Sequence, residues 1–265
     1  MAGLSSVENQ TAATSGSSIP RVTARRMMRE AVARRLVPGD RLASEPTLMR
    51  YFDVSRGSLR ETLRVLSYLG AIDVRTGPGG GARIARPGPR VVGSALAIAL
   101  QFRGTTLRGL LEARAVLEPI AARMAAQRRD ATDFAMLHAC HARLTASTEP
   151  ARRQRERLEF HRLLATATGN DVLELVLTAL AWMGAALDQT EPGQGDGSDE
   201  ARGSLLAAIG SGDAASASEY ATTVLTATTD RLRSGAARPL DQRVLWPDVD
   251  ELPDLQERRD VTTWT

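Results

Sequence analysis

From about residue 93 to residue 235 the apolar residues recur at helical spacing, without the alternation that a half-buried strand requires. That pattern confines most of the chain to packed helices. Aromatic residues make up only 4% of the sequence, so the core has to be filled by Leu, Ala, Val and Met. The period places helices at about 93–103, 107–128, 130–147, 151–168, 170–189, 199–211 and 213–234, with EPGQGDGSD at 191–199 as a loop. No run of 18 apolar residues exists to span a membrane. The start lacks the basic-then-apolar order of a secretory signal. Cys140 is the only cysteine, which excludes an internal disulfide and makes a reducing cytoplasm the expected setting.

The first ninety residues read differently. Residues 19–90 hold fifteen arginines against six acids, a net +9, so with a whole-chain charge of +3 the remainder carries −6. Every basic residue is arginine. A segregated positive charge of this size is built to sit on a polyanion. Residues 1–18 are rich in Ser, Thr, Ala and Gly without an apolar period and read as a disordered tail. In PRVTARRMMREAVARRL at 20–36, Val22, Met27, Met28, Ala31 and Leu36 fall near helical spacing, with Pro20 opening the helix. VPGDRL at 37–42 is a turn, and Ser44 is placed to cap a short helix holding Leu48, Met49 and Phe52. Ser55 is placed to cap a second helix, 56–69, which Gly70 ends. AIDVR and ARIA then flank a glycine-rich turn as two short strands. RPGPR at 86–90 marks a linker at 87–92, and residues 236–265 read as a C-terminal tail, with Trp246 and Trp264 counting against complete disorder.

Two short helices and a two-stranded wing describe a winged helix-turn-helix, whose second helix fits the major groove of DNA. On that helix Leu59, Leu63 and Leu66 bind it to its own domain, while Arg56, Arg60 and Arg64 form a separate row. Ser55, Gly57 and Ser58 are small enough to let the helix approach a phosphate, and Arg56 and Arg60 are long donors suited to guanine or phosphate. The plain alternative is that three arginines only keep an exposed face soluble. GPGGGA at 77–82 matches the dinucleotide fingerprint G-x-G-x-x-G/A, but no long helix follows it and Glu112 lies too far away to serve as the ribose acid.

Residues 19–86 resemble the DNA-binding domain of GntR-family bacterial transcription regulators. VPGDRLASE, FDVSRGSLRETLRVLSYLGAIDVR and TGPGGG follow that family's pattern in order and spacing. The resemblance implies operator contacts from Ser55, Arg56, Gly57, Ser58 and Arg60, supplemented by Ser44 and Arg64, with Thr76 and Gly77 entering the minor groove. Pro46 departs from the pattern, standing where the family often has a charged residue that helps bind DNA.

The helical region 93–235 resembles the effector-binding and dimerising domain of the FadR subfamily. LRGLLEARAVLEPIAARMAA at 107–126, LEFHRLLATATGN at 158–170 and LLAAIGSGDAASA at 205–217 carry that resemblance. It implies a bundle that encloses a small-molecule cavity, with Arg114 and Glu118 at its wall or in a buried polar network. Many family members hold a divalent metal there on one Asp and three His. Of those positions only His161 matches; the others fall at Arg157, Arg202 and Val224, so no metal of that kind is expected. Arg157 and Arg202 either point inward beside Arg114 to bind an anionic effector directly, or face solvent or pair with Glu156, Glu159, Asp199 or Glu200. His138 and His141 flank Cys140 at a spacing that can share a metal, but no carboxylate completes the set convincingly, although Asp133 is nearby.

The fold expected is therefore mainly α: a winged helix-turn-helix over 19–86 followed by an all-α bundle over 93–235. The expected function is a cytoplasmic, homodimeric, ligand-responsive regulator, a repressor that binds double-stranded operator DNA. Its effector would be a small anionic carboxylate or acyl compound, with no cofactor and no membrane partner. An enzyme tethered to DNA is the alternative, although no Ser–His–Asp or Cys–His constellation is identifiable. An architectural protein that needs no small ligand is the other.

Overall fold

The computed structural model of the chain describes residues 8–75, 77, 80–187, 197–234 and 239–245. The chain divides into two compact units, Met1–Val91 and Val92–Thr265.

In the first unit, α1 spans Glu8–Ala33, α2 Glu45–Phe52 and α3 Arg56–Tyr68, followed by strands β1 Ile72–Arg75 and β2 Gly81–Ile84. The core joins Ala24 and Met27 of α1 to Leu48 and Phe52 of α2, to Leu59, Leu63 and Leu66 of α3, and to Leu42 and Ile72. Two expectations need correcting. Residues 8–18, read as disordered tail, continue α1. Pro20 accordingly lies inside the helix instead of opening it, and Val22 is exposed while its neighbours Thr23 and Ala24 are buried.

Local chemistry sets both ends of α3. The Ser55 hydroxyl accepts from the Ser58 N–H at 3.2 Å, which satisfies a donor the first turn would otherwise leave open. At the other end Gly70 takes the left-handed conformation, φ 65°, that disfavours other residues. The Gly70 N–H then donates to Ser67 and the Ala71 N–H to Leu66, both at 2.9 Å, closing a Schellman motif. Replacing Ser55 by alanine is expected to cost about 1 kcal/mol, and Ser55→Asp, which keeps an acceptor, to recover most of it. Chemical denaturation followed through the N-terminal unit checks both. Ser44 stands at the N-cap of α2 as expected, yet its hydroxyl meets the Thr47 hydroxyl at 2.9 Å and caps no backbone N–H.

The wing is antiparallel, pairing Ile72 with Ile84 and Arg75 with Gly81. The turn after α1 joins its edge, with Leu42 donating to Ala82 and Ile84 donating to Asp40. Arg41 fixes the wing's far end by donating to the Gly80 carbonyl at 2.6 Å.

In the second unit the helices are α4 Pro89–Gln101, α5 Leu107–Arg128, α6 Ala131–Ala146, α7 Pro150–Thr166, α8 Asp171–Leu187, α9 Ser198–Ser211 and α10 Ala214–Ser234. The expected linker at 87–92 is shorter, because Pro89 starts α4, the first helical position being one where a missing N–H costs nothing. One core layer packs Ala122, Ala125 and Ala126 of α5 against Leu137, Phe160, Leu163, Leu205 and Ala217. A second gathers Ala97, Leu107, Leu111, Leu158, Trp182 and Met183.

The expected C-terminal tail also needs correcting over 239–245. Leu240 and Val244 are buried, the Leu107 N–H donates to Gln242 at 3.0 Å, and the Val244 N–H donates to Thr105 at 2.8 Å. This segment supplies the acceptor for the open N-terminus of α5, where Thr106 makes no side-chain cap. Trp246 and Trp264 lie outside the described residues, as does most of the expected loop at 191–199.

Candidate DNA interface and ligand cavity

The front of α3 is open. Ser55, Arg56, Gly57 and Arg60 are exposed, as is Arg64 two turns along, and Ser58 is half-buried. Arg60 reaches Glu45 only at 4.0 Å and Arg64 meets Glu61 at 3.4 Å, with 63% and 79% of their side chains in solvent. Ion pairs this exposed hold little energy, so both guanidinium groups can exchange their acids for phosphate at small cost. Ser44 and Pro46 are exposed at the start of α2, and Pro46 offers no charged group there. Gly77 is exposed at the wing tip, whereas Thr76 lies outside the described residues.

In the helical unit five helices enclose a cavity of about 60 Å³. Leu107, Leu111 and Arg114 come from α5, Gln154, Arg157, Leu158 and His161 from α7, and Ala181, Gly184 and Ala185 from α8. Arg202 of α9 and Thr228, Arg231 and Leu232 of α10 complete the wall. Four of the five residues expected at an effector site therefore meet in one place. The fifth, Glu118, stands behind them. Its Oε1 accepts from Arg114 Nε at 2.6 Å and its Oε2 lies 3.0 Å from His161 Nδ1. Burial alone would raise the Glu118 pKa, but the adjoining Arg114 and His161 outweigh it and hold the carboxyl at about 2. Burial, only partly opposed by the Glu118 charge, pushes His161 below its ordinary value.

Arg202 is 1% exposed, which excludes the solvent-facing alternative for it. It donates to the Ser198 hydroxyl at 2.9 Å and to Asp199 at 2.7 Å, so it pairs with an acid and lines the cavity at once. Arg153 holds the other oxygen of Asp199 and donates to the carbonyls of Leu144 and Ser147 at the end of α6. Cys140 is buried against Glu156, and burial, with the Glu156 charge beside it, pushes its thiol up to about 12.

Residues 109–227 match the FCD domain family model. The chain is 32% identical over 148 residues to the Glc operon transcriptional activator of Escherichia coli (strain K12), covering 54% of this chain and 58% of that protein. It is 31% identical over 153 residues to the HTH-type transcriptional repressor NanR of Edwardsiella tarda, covering 56% and 58%. Residues 109–227 thus carry an FCD domain, and over about half its length the chain is similar to these two transcription regulators. It spans less than two thirds of the length of either curated relative. A solved Streptococcus agalactiae GntR structure shares the fold, with a TM-score of 0.63 and 22% identity over 80% of this chain and 99% of that one.

Many members of the subfamily that residues 93–235 resemble hold a divalent metal at this place, and the residues of this cavity do not fit one. The wall presents guanidinium groups, which repel a cation, and both oxygens of Glu118 are already engaged. Among the described residues no three His, Cys, Asp or Glu side chains converge on a common point, His138 and His141 included. Gln154, Thr228 and Arg231 were not expected at the cavity. Gln154 lies one turn before Arg157 and Leu158 on the face that carries His161, and Thr228 and Arg231 repeat the face of Val224, so helical spacing held the signal.

Proposed function

We propose that the chain is a GntR-type, dimeric transcription regulator that binds operator DNA through α3 and the wing. A small anionic metabolite in the cavity of the helical unit sets its DNA affinity. The observation that carries the reading is the row of exposed arginines at the front of a helix whose opposite face is fixed by Leu59, Leu63 and Leu66. Dimerisation is supported by apolar side chains left in solvent on two packed helices: Val116 and Ile120 of α5, 65% and 45% exposed, and Val172 of α8, 69% exposed.

The relatives named above comprise one activator and one repressor. We read repression as the mode here, with the effector weakening operator binding. By linkage the operator then weakens effector binding by the same factor. An enzymatic reading finds little support: Cys140 is buried with its thiol pushed up to about 12, which makes it a poor nucleophile. The architectural reading leaves the arginine-lined cavity without a role. A cytoplasmic location accords with the single, buried cysteine.

The test is selection of genomic fragments by the intact chain, followed by fluorescence anisotropy on the best fragment. The expected result is two protomers per site, steep salt dependence, and release by a small carboxylate. Failure to enrich any fragment over random sequence would overturn the reading.

A further inference from the structure

We propose that the cavity takes the carboxylate of its ligand directly on the Arg114 guanidinium, in the space left open by Gly184, with no divalent ion between them. This rests on the effector reading above and specifies how the same site recognises its ligand.

Arg114 is only 5% exposed, and its contact to Glu118 uses Nε. Its Nη2 is buried and has no hydrogen-bond partner among the described residues. A buried guanidinium nitrogen without an acceptor is costly. A carboxylate on the Nη edge removes that cost and gains the two parallel bonds that make arginine selective for planar anions.

Gly184 stands beside that edge. A Cβ there would lie 3.5 Å from Arg114 Nη1 and 3.9 Å from a Leu107 methyl, ordinary contact distances, so the fold has room for alanine. Glycine inside a helix such as α8 is less stable than alanine by about 1 kcal/mol. Retaining it keeps open the volume next to the guanidinium. Leu107, Leu111, Leu158 and Leu232 supply the hydrocarbon of the wall, and Arg157, Arg202 and Arg231 add positive charge to it, which favours an anion inside.

Size limits the ligand. The free space of about 60 Å³ compares with roughly 30 Å³ for each water of the liquid. It suits an acid of about two carbons, well below the ~300 Å³ at which pockets for drug-sized ligands begin. The arrangement replaces a metal Lewis acid by a fixed cation, in keeping with a donor set that does not fit a divalent ion.

The experiment uses the full chain stripped of metal on chelating resin, with acetate, oxalate, malonate and succinate as probes and chloride and sulfate as controls. Binding is read by calorimetric titration and by the melting temperature of the helical unit. At least one of the four acids should bind in stripped buffer with an affinity that added Zn²⁺, Mn²⁺ or Ni²⁺ leaves unchanged. Gly184→Ala should weaken it at least about tenfold without lowering the ligand-free melting temperature. Arg114→Lys, which keeps the charge but loses the planar fork, should weaken it comparably. If the lysine variant does not fold, Gly184→Ala alone decides. Binding that requires an added metal, binding unaffected by Gly184→Ala, or no binding by any of the four acids would overturn the proposal. Operator anisotropy on the same samples separates the two readings. Intact DNA binding that an uncharged metabolite releases would sink this inference and leave the regulator standing, whereas loss of DNA binding in the unaltered chain would sink the regulator.

Discussion

Replacing Arg56 and Arg60 together by alanine is expected to weaken operator binding by about a hundredfold or more while the fold stays intact. Both side chains are in solvent, and neither belongs to the core formed by Leu59, Leu63 and Leu66, so truncating them leaves α3 seated. Each bidentate base contact discriminates by roughly one to three kcal/mol, and two such losses multiply. Salt dependence then says which kind of contact has gone. A lost phosphate contact lowers the slope of log affinity against log salt by about 0.9, while a lost base contact leaves the slope and relaxes sequence preference at one position. Arg64→Ala should have a smaller effect, since Arg64 lies two turns from the helix front and meets Glu61. Circular dichroism and denaturant melting confirm that the double variant is folded. Wild-type affinity in such a variant would remove the central argument for α3 as the reading helix.

What could be read from the residues alone depended on whether the determinant was local. The limits of α3 follow from Ser55 and Gly70, whose roles need only the adjacent backbone. The span of α5, read as 107–128, recurs as Leu107–Arg128 because its apolar spacing continues unbroken between those ends. The start of α4 was missed for an equally local reason. RPGPR was weighed as a breaker, but its second proline suits the first turn of a helix.

Segment 239–245 is a different case. It is ordered by hydrogen bonds to Thr105 and Leu107, more than 130 residues earlier in the chain, and a short stretch with no period of its own cannot announce such a partner. The cavity falls between these cases. The resemblance to the FadR subfamily pointed to Arg114, Arg157, His161 and Arg202, but only the packing of five helices shows that Glu118 stands behind the wall and that Arg231 completes it.

The buried Arg114–Glu118 pair allows stability and function to be separated. Glu118→Leu alone is expected to destabilise the helical unit by about 3–5 kcal/mol, because Arg114 keeps its charge in a buried site without its partner. Adding Arg114→Met removes the stranded charge and should recover most of that loss, since a buried ion pair is often no more stable than hydrocarbon of similar volume.

Acid titration gives an independent check. Glu118 is held at about 2 in the folded chain against an ordinary 4.5, so the stability it confers is complete above pH 4.5 and is lost as pH falls towards 2. The shift corresponds to about 3 kcal/mol, which the wild type should forfeit over that window and the double variant should not. If the double variant is as stable as wild type yet binds none of the small acids, stability cannot explain why the pair is there, and the ion pair is kept to hold Arg114 in place for its ligand. If the double variant remains as unstable as Glu118→Leu, the pair is structural and the role proposed for Arg114 loses its energetic basis.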